Sequence, residues 1–455
     1  MRYRRARPGA AAPPRILQPR GPVITDTTNT GAASDGPSPK RLTVLMAGDT
    51  FPPDVNGAAS FSVRLAAGLA ERGHDLHIIA QSHDGREGAF PENHLGQTLT
   101  VHRLKSFRWP LHDWLRFVYP WRIHGHAKRI VAEIEPDVAH AQSHMLIGRG
   151  LITEASKAGV RLVVTNHFMP ENLIEHAPLP RFTWPLVIAL AWKDVARLYR
   201  KASSLTTPTK RAAEYLESMT GLKGVHAISC GIRMTDYTPD FEPKRDLRIA
   251  FCGRVTGEKM LPDLIEAVAK LPKDLNAQLD IVGDGDQRRA LEQLAARFGI
   301  ASQVHFPGRV SDEQLRRILT RATVFAMPST AELQSIATME GMASGLPVVA
   351  ADAMALPHLV RDGENGYLFP PRDIDALADR LERVLRMPAD ERQVMQRASL
   401  RLLAPHDIDT TISVFERLYR GEDAVDPVTE VPPLSGKLRD QFRSLARRAK
   451  SAIVD

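Results

Sequence analysis

Cysteine is nearly missing from this 455-residue chain. Cys230 and Cys252 are too few for a disulfide framework, and no Cys/His spacing suggests a structural zinc site. A reducing cytosol is the expected setting. Long apolar runs are lacking too. The longest, Phe182 to Trp192, spans eleven residues between Arg181 and Lys193, whereas a membrane-crossing helix needs ~20. The basic N-terminus has no apolar h-region and does not read as a signal peptide. What remains is ordinary: 43% hydrophobic and 25% charged residues exclude a disordered or collagen-like chain. The length predicts two or three domains.

The net charge of +7 is unevenly spread. Residues 1–41 carry +6, residues 101–201 carry +7 and residues 436–455 carry +4, which leaves −10 for the rest. Basic sectors attract nucleic acid, anionic lipid or phosphorylated small molecules. All five tryptophans (109, 114, 121, 184 and 192) fall in the middle sector, and indole rings favour the membrane–water interface. The segments RWPLHDWLRFVYPW (108–121) and RFTWPLVIALAWKD (181–194) mix aromatics with Arg or Lys. They suit a membrane-docking face or an ordinary core with a solvated rim; nucleic acid is disfavoured. In the tail, Leu438, Phe442, Leu445, Ala449 and Ile453 repeat at helical spacing among arginines, the pattern of an in-plane amphipathic anchor.

Pattern along the chain predicts an α/β protein. Residues 1–40, with seven prolines, read as a disordered leader. Short apolar strands at 42–47, 76–80, 138–141 and 161–165 alternate with helices at 58–72 and 146–158. After a looser stretch near 236–247, strands at 248–252, 278–282, 303–306, 323–327 and 347–350 alternate with helices at 261–271, 286–298, 312–321 and 334–344. Helices near 373–387, 389–403 and 407–419 follow. Such alternation marks parallel sheets. The expected organisation is a leader (1–40), a Rossmann-like acceptor-side domain (41–236) and a Rossmann-like donor-binding domain (237–405). A helix returning to the first domain (406–420) and a linker with basic tail (421–455) complete it. Ligands of such sheets bind beyond the carboxyl ends of the strands.

Four segments at those ends carry chemistry. Gly57, just before a helix, lets backbone amides approach a phosphate at the helix N-terminus. CGRVTGEK (252–259) places Gly253, Arg254 and Lys259 in one loop, where two cations can neutralise a diphosphate leaving group. In the segment 281–315, Gly283 turns the chain after a strand, and the backbone at Gly308–Val310 can meet a nucleobase edge. Asp284 and Asp286 read as turn formers, not metal ligands. In PSTAELQSIATMEGMASGLPVVAAD (328–352), Glu332 and Glu340 stand eight residues apart. As a helix this gives about 12 Å and about 800° of rotation, leaving both on roughly one side. One carboxylate then suits hexose hydroxyls and the other ribose hydroxyls, while the amides of Ser335, Ile336 and Ala337 face a diphosphate.

The Glu-x7-Glu spacing, ASGLPVVAAD, GRVTGEK, IVGDGDQ and FPGRV, in this order, resemble the family 4 retaining glycosyltransferases of the GT-B fold across residues 42–420. The likeness extends to bacterial enzymes that glycosylate glycolipids and phosphatidylinositol. It implies two Rossmann-like domains facing across a cleft, an activated sugar nucleotide as donor and no cofactor or metal. It assigns Glu332 to the donor sugar, Glu340 to the ribose, Arg254 and Lys259 to the diphosphate, and Gly57 to an N-terminal phosphate loop. His167, in VVTNHF, matches a histidine beside the transferred sugar. His140 and His144 fall in another family motif, although a structural role is open for all three. Two departures stand out. The usual double glycine is Gly57-Ala58, and the Phe-Gly pair after the first glutamate is Gln334-Ser335.

The expected function is metal-independent hexose transfer, with retention, from a GDP-mannose- or UDP-glucose-type donor to a glycerolipid or phosphoinositide. The enzyme would sit peripherally on the inner face of the cell membrane. A soluble acceptor such as an inositol phosphate, an epimerase and a non-catalytic membrane-associated protein are the alternatives. No oligomeric state is indicated. Deleting residues 436–455 is expected to weaken binding to anionic vesicles while sparing donor hydrolysis; cosedimentation measures it, and unchanged binding rules out an anchor.

Overall fold

The computed structural model describes residues 40–54, 56–108, 116–170, 174 and 180–423. The described residues from Arg41 onward fall in one compact unit. The leader, Trp109, Trp114 and the basic tail lie outside the described residues.

The first half begins β1 (Thr43–Ala47), α1 (Gly57–Glu71), β2 (Asp75–Ser82), β3 (Gly88–His94) and β4 (Gln97–Lys105). A two-stranded ribbon follows, β5 (Phe107–Arg108) with β6 (Arg116–Phe117). Then come α2 (Pro120–Ile134), β7 (Val138–Ala141), α3 (Leu146–Lys157), β8 (Arg161–Thr165) and α4 (Trp184–Tyr199). The half ends with β9 (Ser204–Thr207), α5 (Lys210–Thr220) and β10 (His226–Ala227). Its sheet runs β10-β9-β8-β7-β1-β2-β4-β3, parallel except for β3 at the edge. Strands such as β1 and β7 are almost wholly buried, because helices cover both faces of a parallel sheet.

The second half repeats the scheme with β11 (Arg248–Cys252), α6 (Leu261–Lys270), β12 (Gln278–Val282), α7 (Arg288–Arg297) and β13 (Val304–Gly308). It continues with α8 (Asp312–Arg321), β14 (Val324–Met327), α9 (Ile336–Ala343), β15 (Val348–Ala351), α10 (Leu356–Leu359) and β16 (Gly366–Phe369). Helices α11 (Ile374–Leu385), α12 (Ala389–Leu403) and α13 (Ile408–Arg420) close the chain. The strand order β13-β12-β11-β14-β15-β16, all parallel, is that of a Rossmann sheet. Its order reverses between β11 and β14, which opens a crevice there.

Several elements escape the apolar-alternation reading. The β3–β4 hairpin is hidden because β3 (GAFPENH) is a half-exposed edge strand with polar residues and a proline. Helix α2 buries only Ile123, Ala127, Ile130 and Val131 beneath a basic surface. Strands β9, β10 and β16 are only two to four residues long. The two helices expected from 286 and 334 begin later, at Arg288 and Ile336.

Helix α13 belongs to the core of the first sheet, not the second. Ile408, Ile412, Phe415 and Leu418 pack with Val44, Met46, Phe61 and Leu65. Phe415 is fully buried, its ring against Phe61 and stacked on His140. Truncating such a ring leaves a cavity in a close-packed site. Phe415→Ala is therefore expected to cost about 3–5 kcal/mol of stability, read by urea denaturation.

Candidate active site

At the crevice of the second sheet, β11 ends and its loop turns over the start of β12. Gly253 has φ +148°, and its N–H donates to Val282 O at 3.0 Å. Gly283, φ +131°, lies against it so closely that an added Cβ would stand 1.9 Å from Gly253 O. Gly283 thus lets two loops cross in contact. The loop then brings the half-buried Lys259 to the buried carboxylate of Glu332 in an ion pair. Arg254 pairs with Glu258 at 2.9 Å, and the Glu258 carbonyl receives Ser329 Oγ at 3.2 Å and the Thr330 N–H at 3.3 Å. The loops after β11 and β14 are therefore sewn together. Burial pushes the Glu332 carboxyl upward, but the Lys259 ammonium, Ser329 and Arg254 pull it below the ordinary range.

Glu340 behaves in the opposite way. Its Oε1 accepts from Arg64, on α1, at 3.4 Å, and its Oε2 faces the Cys252 thiol at 3.6 Å. Burial raises its carboxyl despite Arg64, Cys252 and Tyr237. The Cys252 thiol is held well above its usual range by burial and by Glu340 and Glu332, with Glu340 the larger of the two carboxylate effects, against the opposing pull of Lys259. Both carboxylates therefore act on one sulfur. Helix rotation does not bring the two together, because α9 begins at Ile336 and Glu332 lies in the preceding loop. It is the loop pinning that places them.

Ser335 is the N-cap of α9 and adopts a left-handed conformation, φ +75°, with its Oγ accepting from the Thr338 N–H at 3.4 Å. Holding a serine there costs of order 1 kcal/mol. Ile336 and Ala337 follow as the leading residues of the helix. Across the crevice, a Cβ added to Gly57 would sit 3.8 Å from Ile336 Cδ1, so the N-termini of α1 and α9 meet. Such ends favour anions. The N-terminus of α3 differs, because Asp49 already fills it, accepting from Ile147 N at 2.7 Å and Gly148 N at 3.3 Å.

The histidines divide. His140 is wholly buried between Tyr419 OH (2.6 Å) and Thr165 Oγ1 (2.7 Å), and burial lowers it to about 3. His144 bonds Tyr199 OH at 3.1 Å and is lowered to about 4, again by burial first. His167 is half-buried, bonds Gln142 Oε1 at 3.0 Å, lies against Phe61, and burial lowers it to about 4. All three rings are neutral at pH 7. Val310 is partly buried and packs on the core of the second sheet. Among the described residues no three His, Cys, Asp or Glu side chains gather to hold a metal ion.

The structure thus brings together Gly253, Arg254, Lys259, Glu332, Ser335, Ile336, Glu340 and Gly57. Arg64, Tyr237 and Glu258 join them without having been singled out. Arg64 was discoverable as the lone cation in the small-residue helix GAASFSVRLAAGLAE. Among the tryptophans, Trp192 is a core residue packed edge-on to Tyr215, whereas Trp121 is exposed.

Two Rossmann-type sheets meeting at a carboxylate- and cation-lined crevice define a two-domain transferase of the GT-B fold. Sucrose-phosphate synthase from Thermosynechococcus elongatus superposes with TM-score 0.71 at 18% identity, covering 84% of this chain and 99% of that one. Anabaena HepE, solved with UDP and glucose, gives 0.65 at 17% identity over 84% and 100%. Residues 55–236 match the model described as Glycosyltransferase Family 4, and residues 238–401 match Glycosyl transferases group 1. The chain belongs to the family 4 glycosyltransferases. An MMP alpha-(1->4)-mannosyltransferase of Mycolicibacterium hassiacum is 28% identical over 74% of this chain and 88% of that protein. The sulfoquinovosyl transferase of Arabidopsis thaliana is 27% identical over 60% of this chain, which spans only 54% of that relative.

Gly283→Ala is expected to destabilise the protein by about 2 kcal/mol or more, since the new methyl meets backbone at a positive φ. Thermal unfolding with and without nucleotide measures it: the loss appears in both, as a packing role requires.

Proposed function

We propose that this chain transfers a hexose, with retention of anomeric configuration, from a GDP-mannose- or UDP-glucose-type donor to a membrane lipid. The observation that carries the reading is the ion pair of Lys259 with the buried Glu332, with Arg254 acting on the same carboxylate, next to the facing N-termini of α1 and α9. A diphosphate between those helix ends meets Lys259 and Arg254, and Glu332 accepts hydrogen bonds from the hexose. Glu340 takes the ribose. The C1–O bond to the diphosphate breaks as the acceptor hydroxyl bonds C1 from the same face, and the hydroxyl proton passes to the departing phosphate oxygen. Cations and helix amides fixed before the reaction stabilise the charge that develops on the leaving group. His167, neutral, positions the sugar by hydrogen bonding.

The lipid acceptor rests on a different surface. Along α4 and the turn before it, Phe182 (84% exposed), Leu186 and Leu190 form one outward stripe, continued by Lys193, Arg197 and Lys201. Apolar residues beside a basic run suit the interface of an anionic bilayer. A cavity of about 330 Å³ lies beneath the same helix, lined by Ile174, Val187, Ile188, Ala191 and Val195. No helix among the described residues is long and apolar enough to cross a membrane. Attachment to the inner face of the cell membrane is therefore peripheral in this reading.

The test is a panel of both labelled donors against phosphatidylinositol vesicles, diacylglycerol vesicles and soluble inositol phosphate, with products identified by mass spectrometry. An α-hexosyl lipid is the expected product. Product on the soluble acceptor alone would replace the lipid reading, and no sugar-nucleotide binding by calorimetry would overturn the whole. Lys259→Ala and Arg254→Ala are each expected to lower kcat by about 10²–10³, the cost of losing one stabiliser of the developing charge.

A further inference from the structure

Gln334 stands where the family pattern has an aromatic residue, and its side chain is bonded to Cys230, Ser229 and His406. It is 3% exposed and reaches the place where the chain crosses twice between the two halves. The first crossing, around 228–232, and the second, around 404–408, are bonded to each other. Ile232 N donates to His406 O at 2.9 Å and Ile408 N to Ile232 O at 3.1 Å. Gln334 joins both. Its Oε1 accepts from the Cys230 N–H at 2.7 Å, and its Nε2 donates to Ser229 Oγ at 2.7 Å and lies 3.3 Å from His406 Nδ1.

The proton positions follow from the partners. Ser229 Oγ accepts from Gln334 Nε2 and from the Gly231 N–H at 3.2 Å, so its own hydroxyl donates to His406 Nδ1 at 2.8 Å. The imidazole is then neutral with its proton on Nε2, in keeping with the lowering of His406 to about 3 by burial. Every polar atom of the Gln334 side chain is used, and a leucine or methionine there would leave the Cys230 amide buried without an acceptor.

The same short loop is held a second time from the first half, by Thr209 Oγ1 donating to Leu333 O at 3.0 Å. Gln334 is two residues after Glu332 and one before the N-cap of α9. A change in the angle between the halves must therefore either break these bonds or move the sugar-side carboxylate and the helix end together. We infer that Gln334 is a positioning residue that couples the interdomain crossing to the donor pocket, so that the loop bearing Glu332 and Ser335 reaches its working geometry only when the two halves are correctly set. This rests on the reading of Glu332 and α9 as donor-site elements given above, and it goes beyond that reading by making their placement conditional on the hinge.

The experiment compares the full-length protein with Gln334→Met and Ser229→Ala, measuring donor affinity by calorimetry, kcat and donor KM, and the donor-induced change in radius of gyration by small-angle X-ray scattering. For Gln334→Met, donor Kd is expected to stay within threefold, kcat to fall at least tenfold, and donor-induced compaction to be lost. Ser229→Ala, which keeps the bond to Cys230, is expected to lose about threefold in kcat. Should Gln334→Met fail to fold, Ser229→Ala decides alone. Wild-type kcat with intact compaction in the folded variants overturns the inference while leaving the donor site standing. A wild-type protein that binds neither sugar nucleotide overturns both.

Discussion

A buried glutamate carboxylate held by a lysine ammonium is the constraint around which the second half is organised. Lys259 and Glu332 come from loops after β11 and β14, the two strands where the sheet order reverses. Neither charge is tolerable there alone, because an unpaired ion so placed carries a desolvation cost of several kcal/mol. The two loops must therefore meet, and the Ser329 hydroxyl and the Thr330 N–H, both donating to the Glu258 carbonyl, hold them so.

The two carboxylates show how environment divides similar groups. Glu332 has a full cation in contact and stays ionised. Glu340 shares the more distant Arg64 with a thiol and a phenol, and burial prevails. The helix ends divide likewise: Asp49 occupies that of α3, whereas those of α1 and α9 face each other across the crevice. Helix ends that face one another in this way favour an anion between them.

Much of this was legible in the sequence, for reasons that can be named. Parallel strands such as LTVLMA and RIAFC are buried on both faces and so stand out as short apolar runs. Arg254, Lys259, Glu332 and Glu340 stand out because charged residues interrupt small-residue loops beside them. The tight backbone crossing at Gly283 was not legible, since a glycine needed for close backbone approach looks the same in sequence as one that admits a phosphate. Arg64 and Gln334 were hidden for another reason. Their partners are 276 residues away at Glu340 and 104 away at Cys230, and no local pattern reports a contact of that range. Trp192 shows the converse limit, because an indole in a basic stretch is interfacial or internal according to which helical face it occupies.

Helix α13 has a consequence for the order in which the nascent chain matures. The β1–α1 layer of the first sheet is completed by Ile408, Ile412 and Phe415, which leave the ribosome last among the described elements. The second sheet finishes its own core with segments that emerge earlier, ending at Leu403. Domains ordinarily fold from the N-terminus during synthesis. Here the half made first must wait with an uncovered apolar face until the half made second is already assembled.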